Sequence, residues 1–391
     1  MTDSPVPLHV VCREWGRIGI TGFGGPPTHI AMLRGLVVQG RSWIGADEFE
    51  SAIAACNLLP GPASTQLAIF CAHRVAGRRG AIVGGLAFVV PAVVIVLVLS
   101  LLFLAASPPL WVRGAGDGAG AVIAPVAVAA GWALLLPSRR RARAAGGYRR
   151  LRWSTYVVLG GTAAALVGPY LVVVLLVCGF VEVAVVEGPR GERGGVRLHG
   201  SPLLLIGALS GAVSAGGWLA LVWEAFKVGA LSYGGGFVIV PLMQHDAVHT
   251  YHWMTSAQFL NAVALGQVTP GPVVATVAAV GYAAHGVGGG ALAAVIAFAP
   301  SFTFVLLGAS HFQQLRESAR AQAFLDGAGP AAIGAILGSA IPLAEALRHG
   351  WQFGLMGVGA LALLVARRRV VQTLLAAGAI GAIAVLAGAP A

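Results

Sequence analysis

The sequence predicts an all-α, polytopic membrane protein made of two homologous halves arranged as inverted repeats. Three observations carry that reading. The chain is 57 % hydrophobic and 10 % charged, with mean hydropathy +0.83, whereas a soluble domain carries about 25 % charged residues. About thirteen apolar segments follow one another, most of them near the roughly 20 residues that cross a bilayer as a helix. The second half also repeats the first at a shift of 210 residues.

The first six segments are expected at about 11–38, 48–72, 80–105, 118–137, 153–167 and 169–186. A lone segment comes next at about 202–218, then six more at about 221–244, 256–282, 288–310, 326–346, 350–366 and 370–389. Some are expected to be broken or re-entrant. The division is a first repeat over 1–187, a linker with an inverting segment over 188–220, and a second repeat over 221–391. Met1–Pro7 lacks a basic stretch leading into an apolar one, so the first segment is expected to serve as an uncleaved anchor.

The repeat reads without a gap. "RIGITGFGG" (Arg17–Gly25) lies over "KVGALSYGG" (Lys227–Gly235), Glu14 over Glu224 and Trp43 over Trp253. "PGP" at Pro60–Pro62 lies over "PGP" at Pro270–Pro272, and "GAIVGGLAF" over "GALAAVIAF". Charge orients the halves. With alternate loops on alternate sides, nineteen arginines fall on one side, including Arg13, Arg74, Arg78, Arg79, the Arg139–Arg152 cluster and Arg367–Arg369. Arg34, Arg41, Arg113 and Arg348 fall on the other. The excess places the N-terminus and the arginine-rich loops in the cytoplasm. "AHRVAGRRG" and its copy "YAAHGVGGG" differ in every arginine, as expected if the halves insert with opposite orientation. A parallel duplication is the alternative, restored by one miscounted segment.

Helix breakers lie inside these segments. Pro costs a helix interior about 3 kcal/mol and Gly about 1, and irregular backbone at membrane depth needs protein or water to satisfy it. A helix restarting after Pro-Gly-Pro presents N–H groups and the positive end of its dipole, which attract an anion. The candidate substrate-binding residues at the first such break are Asn57, Pro60, Gly61, Pro62, Ser64, Thr65 and Gln66. At the second they are Gln267, Pro270, Gly271, Pro272 and Thr276. The glycine clusters add Gly24, Gly25, Pro26 and His29 in one half, and Gly234, Gly235 and Gly236 in the other. Such runs can cradle an anion, although close packing of small residues explains either cluster alone. Arg17 and Lys227, the chain's only lysine, would add positive field, or each is neutralised by the glutamate three residues earlier. His29 would bind an oxyanion, carry a proton, or simply be a satisfied buried histidine. Glu50, Glu182 and Glu345 are candidate proton carriers that spacing does not rank.

Other classes lack their chemistry. The net charge of +11 is assigned to topology rather than nucleic acid. Cys12, Cys56, Cys71 and Cys178 show no metal-ligand or CxxC spacing. GxxxxGKS, HExxH and GxSxG are absent, so neither an ATP-driven pump nor an enzyme is expected, and no cofactor or metal.

At "GITGFGGPPTHIAML", "CNLLPGPASTQLA", "KVGALSYGGGFVIVPLM" and "LGQVTPGPVVATVAAVGY" the sequence resembles the chromate ion transporter family, long-chain two-domain type. The likeness covers about 11–104 and 221–312. It implies a bacterial inner-membrane protein that exports chromate, a sulfate-like dianion, and confers resistance. The family's motif positions fall on Gly24, Gly25, Pro26, His29, Pro60, Gly61, Pro62, Lys227, Gly234–Gly236 and Pro270–Pro272. Ile239 stands where a second histidine would match His29. The expectation is therefore an alternating-access exporter of chromate or sulfate. The alternatives are transport of another oxyanion or an organic acid, and a non-transporting accessory subunit. Expected partners are the oxyanion, the lipid bilayer and, in a homodimer, a second copy of the chain.

Overall fold

Glycine and proline decide where these helices stop and turn. The computed structural model describes residues 5–57, 59, 61–144, 146–167, 171–187, 217–232, 237–308 and 318–391. These are helical almost throughout, with no strand among the described residues. The expected lone segment at 202–218 lies outside them but for its last two residues, and Arg190, Arg193, Arg197 and Arg316 lie outside them entirely.

Helix α1 (Leu8–Thr21) ends at the first glycine cluster, and α2 (Pro26–Arg34) starts directly after it with proline at its N-terminus. A π-helical turn, Gly35–Gly40, closes α2. Trp43 then stacks on Trp15 at 6.5 Å, and Arg41 reaches Glu14 at 3.8 Å. The chain has come back toward the end from which it entered. The next break does the same. Helix α3 (Ala46–Cys56) leads to Pro-Gly-Pro, and α4 (Ala63–Phe103) returns from it. Glu48 of α3 pairs with Arg74 of α4, and the Val6 N–H donates to the Val75 carbonyl at 2.9 Å. The segments expected to cross once at 11–38 and 48–72 are thus hairpins folded at their breaks. Arg34 and Arg41, expected on the far side, return with α2 to the N-terminal end. Non-helical angles at Ala76 and Gly77 (φ +66°) then reverse α4. Its second arm packs back over the first: a Cβ on Gly84 would sit 2.5 Å from the Ala72 Cβ.

The second half repeats this plan with α9 (Trp218–Leu231), α10 (Ile239–His245), α11 (Ser256–Val268) and α12 (Thr276–Gly308). A π turn closes α10 at Asp246–Thr250, and α12 reverses at His285 and Gly286 (φ +65°). At that reversal His285 stacks on Trp218 at 4.4 Å. The repeat is not gapless, however. The glycines of the two Pro-Gly-Pro breaks stand 210 residues apart, but Gly77 and Gly286, and the in-helix Pro91 and Pro300, stand 209 apart. Helix α12 is entered through a 3₁₀ turn, Val273–Ala275, where α4 starts directly as α-helix. A 3₁₀ residue rises about 2.0 Å and an α residue about 1.5 Å. Three such residues gain about one residue's rise, which accounts for the missing position.

The remaining helices interlock the halves. They are α5 (Leu110–Ala121), α6 (Ile123–Ala144), α7 (Gly147–Thr162) and α8 (Leu171–Glu187), then α13 (Ala319–Gly338), α14 (Ala340–Glu345), α15 (Gly350–Ala360) and α16 (Val370–Leu386). Helix α5 packs on α16 and α13 packs on α8, each partner coming from the other half. The contacts correspond. A Cβ on Gly118 would meet the Ala377 carbonyl oxygen at 2.2 Å, and one on Gly327 that of Cys178 at 2.1 Å. The second arms of α4 and α12 also cross. Gly85 faces Phe302 while Leu97 faces Gly290, so they run in opposite directions. At the end opposite Val6, Arg113 donates to the Ala391 carbonyl at 2.7 Å and Trp351 to that of Pro390 at 3.1 Å.

Four helical stretches, Ala63–Phe103, Leu110–Ala144, Val273–Gly308 and Ala319–Glu345, are long and apolar enough to cross a membrane. Large apolar side chains such as Val98, Leu307 and Ile383 remain exposed on them and on α16, as suits an integral membrane protein facing lipid. Gly229 tests the packing. Its Cβ would lie 2.1 Å from the Ala297 carbonyl oxygen, whereas Gly354 has nothing within 4 Å. Gly229→Ala is expected to destabilise the protein by about 1–3 kcal/mol, visible as a lower Tm in detergent. Gly354→Ala should leave Tm unchanged or raised.

Candidate functional site

The two breaks of the first half and the Pro-Gly-Pro break of the second meet. Gly24 and Gly25 adopt φ of +104° and +74°, left-handed values open to glycine, which let the chain restart at Pro26. His29, fully buried, points back into this turn. Its Nε2 lies 2.9 Å from the Gly22 carbonyl, and its Nδ1 lies 3.3 Å from the Ser64 hydroxyl. A carbonyl only accepts, so in the neutral ring Nε2 holds the proton and Nδ1 accepts from Ser64. The ring stands edge-on to Phe88 at 5.0 Å. The Gly22 carbonyl accepts a second bond, from the N–H of Gly271 at 3.1 Å. One oxygen thus ties the glycine break of one half to the Pro-Gly-Pro break of the other.

Gly61 and Gly271 share left-handed φ, +117° and +94°. Pro62 and Pro272 cap the helical turns that start after them. The N–H groups of Thr65 and Gln66 donate to the Pro62 carbonyl at 2.9 and 3.1 Å, and that of Ala275 to Pro272 at 2.9 Å. The amides of Thr65 and Gln66, expected to be free, are therefore spent within the turn. Among the side chains, Ser64 serves His29, and Thr276 donates to the Val273 carbonyl at 2.7 Å. The Thr65 hydroxyl and the Gln267 amide nitrogen are buried and bonded to no described residue. Gln66 is fully buried, with its Nε2 beside Gly61. Pro270 is buried, and Asn57 is exposed at the end of α3. Pro60, Gly234, Gly235 and Gly236 lie outside the described residues.

The two cations of the paired apolar segments differ. Arg17, with its side chain 63 % exposed, pairs with Glu14 at 3.1 Å, and Arg13 and Arg41 approach the same carboxylate. Lys227, only 15 % exposed, is held between Glu224 and Asp246. Each glutamate three residues earlier is thus a partner. Glu50 pairs with Arg34 at 2.7 Å, and the buried Glu182 takes a two-pronged bond from Arg152 and one from the Tyr156 hydroxyl. Among the described residues no three His, Cys, Asp or Glu side chains gather as metal ligands.

Two cavities occupy matching places at opposite ends. One of about 800 Å³ is lined by Arg141, Arg149, Asp326 and Glu50 and reaches Asn57 and Val238. The other, about 570 Å³, is lined by Arg113, Asp117, Asn261, Arg348 and His349, and by none of the described break residues. Asp117 and Asp326 stand 209 residues apart, the spacing of the repeat beyond its break.

Three residues at these sites were not anticipated: Ser232, Ser301 and Asp246. The hydroxyls of Ser232 and Ser301 are buried and unpartnered among the described residues. Ser301 follows Pro300 as Ala92 follows Pro91, so a comparison of "PS" with "PA" at the shift of 209 would have found it. Asp246, a carboxylate just past an apolar run, would have been found by extending the search for ionisable groups two residues.

Comparison with known proteins agrees with the motifs. The family profile described as Chromate transporter matches residues 10–183 and 219–383. A chromate transport protein of Cupriavidus metallidurans is 31 % identical over 366 residues, covering 93 % of this chain and 89 % of the relative. A probable chromate transport protein of Synechococcus elongatus is 28 % identical over 92 % of this chain and 93 % of its own length. One from Pseudomonas aeruginosa is 29 % identical over 84 % and 79 %. No solved structure matches the chain.

The unequal cations give a testable contrast. Lys227→Ala strands two adjoining carboxylates in a mostly buried place, a loss on the order of 3–5 kcal/mol. Arg17→Ala removes a largely exposed partner of a buried carboxylate that keeps Arg13 and Arg41 beside it, a loss of about 0–1 kcal/mol. Thermal unfolding in detergent should show a large fall in Tm for the first and little change for the second.

Proposed function

The chain belongs to the chromate transporter family, and from that premise we propose that it exports chromate across the bacterial inner membrane as a secondary transporter. Sulfate, of like shape and charge, is a competing cargo. The observation that carries the reading is the Gly271 N–H bonded to the Gly22 carbonyl: breaks from both halves converge on one buried polar cluster. Broken helices of two repeats meeting near the midplane are how secondary transporters build substrate sites.

The repeats are read as inverted. In support, the second arms of α4 and α12 run in opposite directions. The hairpins strengthen the charge argument as well, since Arg34 and Arg41 join the arginine-rich end. Of the four arginines first assigned to the other side, that leaves Arg113 and Arg348, both near Ala391. Excess arginine marks the cytoplasmic side, so the N-terminus is placed there. Two cavities at matching places, only one of which reaches Asn57, fit alternating access with the cytoplasmic side better connected. An inside-negative potential favours anion exit by about 2.3 kcal/mol per charge per 100 mV, so a dianion can leave without ATP.

Uptake of radiolabelled chromate into inverted vesicles, with sulfate as competitor, tests the function; uptake no faster than in vesicles lacking the protein would refute it. Gly61→Ala, which forces a side chain on a φ of +117°, should abolish flux while membrane insertion persists. For topology, cysteines at Arg41 and Arg79 should be labelled from the cytoplasmic side and one at Arg348 from outside. Labelling of Arg41→Cys from outside would mean that α1 and α2 cross as one segment.

A further inference from the structure

The two Pro-Gly-Pro breaks match in sequence, yet their surroundings differ. At the second, the Gly271 N–H is spent on Gly22, the neighbour facing it is the Ala92 methyl, and the Thr276 hydroxyl is bonded to Val273. On that side the Gln267 amide is the donor left unpaired among the described residues. At the first, the place of Ala92 is taken by Ser301. Its Oγ lies 3.2 Å from where a Cβ on Gly61 would stand, is fully buried, and has no partner among the described residues. The Thr65 hydroxyl, on the first turn of α4, is buried and unpartnered as well, and the Gln66 Nε2 lies 2.7 Å from the same point. Unpartnered hydroxyls in a dry interior are costly. Two of them beside the N-terminus of the first arm of α4, where the dipole favours negative charge, point to a ligand rich in acceptor oxygens.

We infer that the protein binds one tetrahedral oxyanion per chain, at the first-half break alone, with Ser301 of the second half closing the site over Thr65, Gln66 and the start of α4. This rests on the transport reading and makes Ser301 a binding residue. The Gln66 amide, the far end of a flexible side chain, moves aside and then donates to the anion. Ala92 leaves the matching place in the other half without a hydroxyl, so the repeat supplies scaffold twice and the site once.

Chromate titration of the purified full chain by calorimetry, beside flux in vesicles, tests this. The expected stoichiometry is one per chain, with Ser301→Ala weakening binding about tenfold or more, as for a hydrogen bond to a charged group. Ala92→Ser should leave affinity and stoichiometry unchanged. Should Ser301→Ala aggregate, Ser301→Cys keeps the side-chain shape, loses the strong donor, and is held to the same tenfold criterion. Two chromates per chain, or wild-type affinity in the Ser301 variant, overturns the single site while transport stands. A wild-type protein that neither binds nor moves chromate overturns the transport reading and this site with it.

Discussion

The helix breaks of this fold answer to one constraint: a peptide group left unpaired in an apolar interior costs several kcal/mol. Reversing a helix at its tip frees several such groups at once. The tips here pair with one another. The Gly22 carbonyl, orphaned when α1 ends, accepts from Gly271 of the other half and from His29 of the helix that comes after it. The Pro-Gly-Pro break of the second half thus draws its partner from the first. This is why the backbones approach so tightly, with glycine at Gly19, Gly229, Gly118 and Gly327, and why α5 and α13 each dock on the last helix of the opposite repeat.

A scaffold repeated in this way need not repeat its chemistry. Glu14 is surrounded by three arginines, whereas at the matching depth Lys227 is surrounded by two carboxylates. Ser301 corresponds to Ala92, and the sequence has Ile239 where His29 would recur. Backbone geometry is held in common because pairing at the tips demands it. Side chains are free to diverge wherever they do not serve that pairing.

Much of this was legible in the residues, because breakers and repeats are local signals. Two Pro-Gly-Pro motifs, the glycine clusters and the i, i+3 glutamates mark the tips and the ion pairs in the sequence itself. Direction was not legible. Hydropathy reports that a stretch is apolar, and a hairpin of two short helices is as apolar as one long helix, so 11–38 and 48–72 read as single crossings. The one-residue gap hid for a related reason. "GAIVGGLAF" matches better at a shift of 210, with four identities, than at 209, with one, and only the kinks and the in-helix prolines fix the register. Ser301 went unseen because a lone serine in an apolar run carries no periodicity.

The local pairing of charge bears on how such a site could work. Lys227, the mostly buried cation, is held between two carboxylates, whereas Arg17 shares the Glu14 carboxylate with Arg13 and Arg41 and is largely exposed, so among the described residues no buried cation is left unpaired beside the breaks. What the breaks offer instead is hydroxyl, amide and helix-end polarity. A buried arginine fork would hold a tetrahedral dianion firmly through two charge-assisted bonds. A single hydrogen bond to a charged group contributes only about 1.5–3 kcal/mol. A carrier must release its cargo as readily as it takes it up, and conduction generally requires binding favourable enough to enter yet weak enough to leave. Neutral donors meet both demands. They recognise acceptor oxygens by geometry, and they let the membrane potential, rather than the depth of the binding well, decide which way the anion goes.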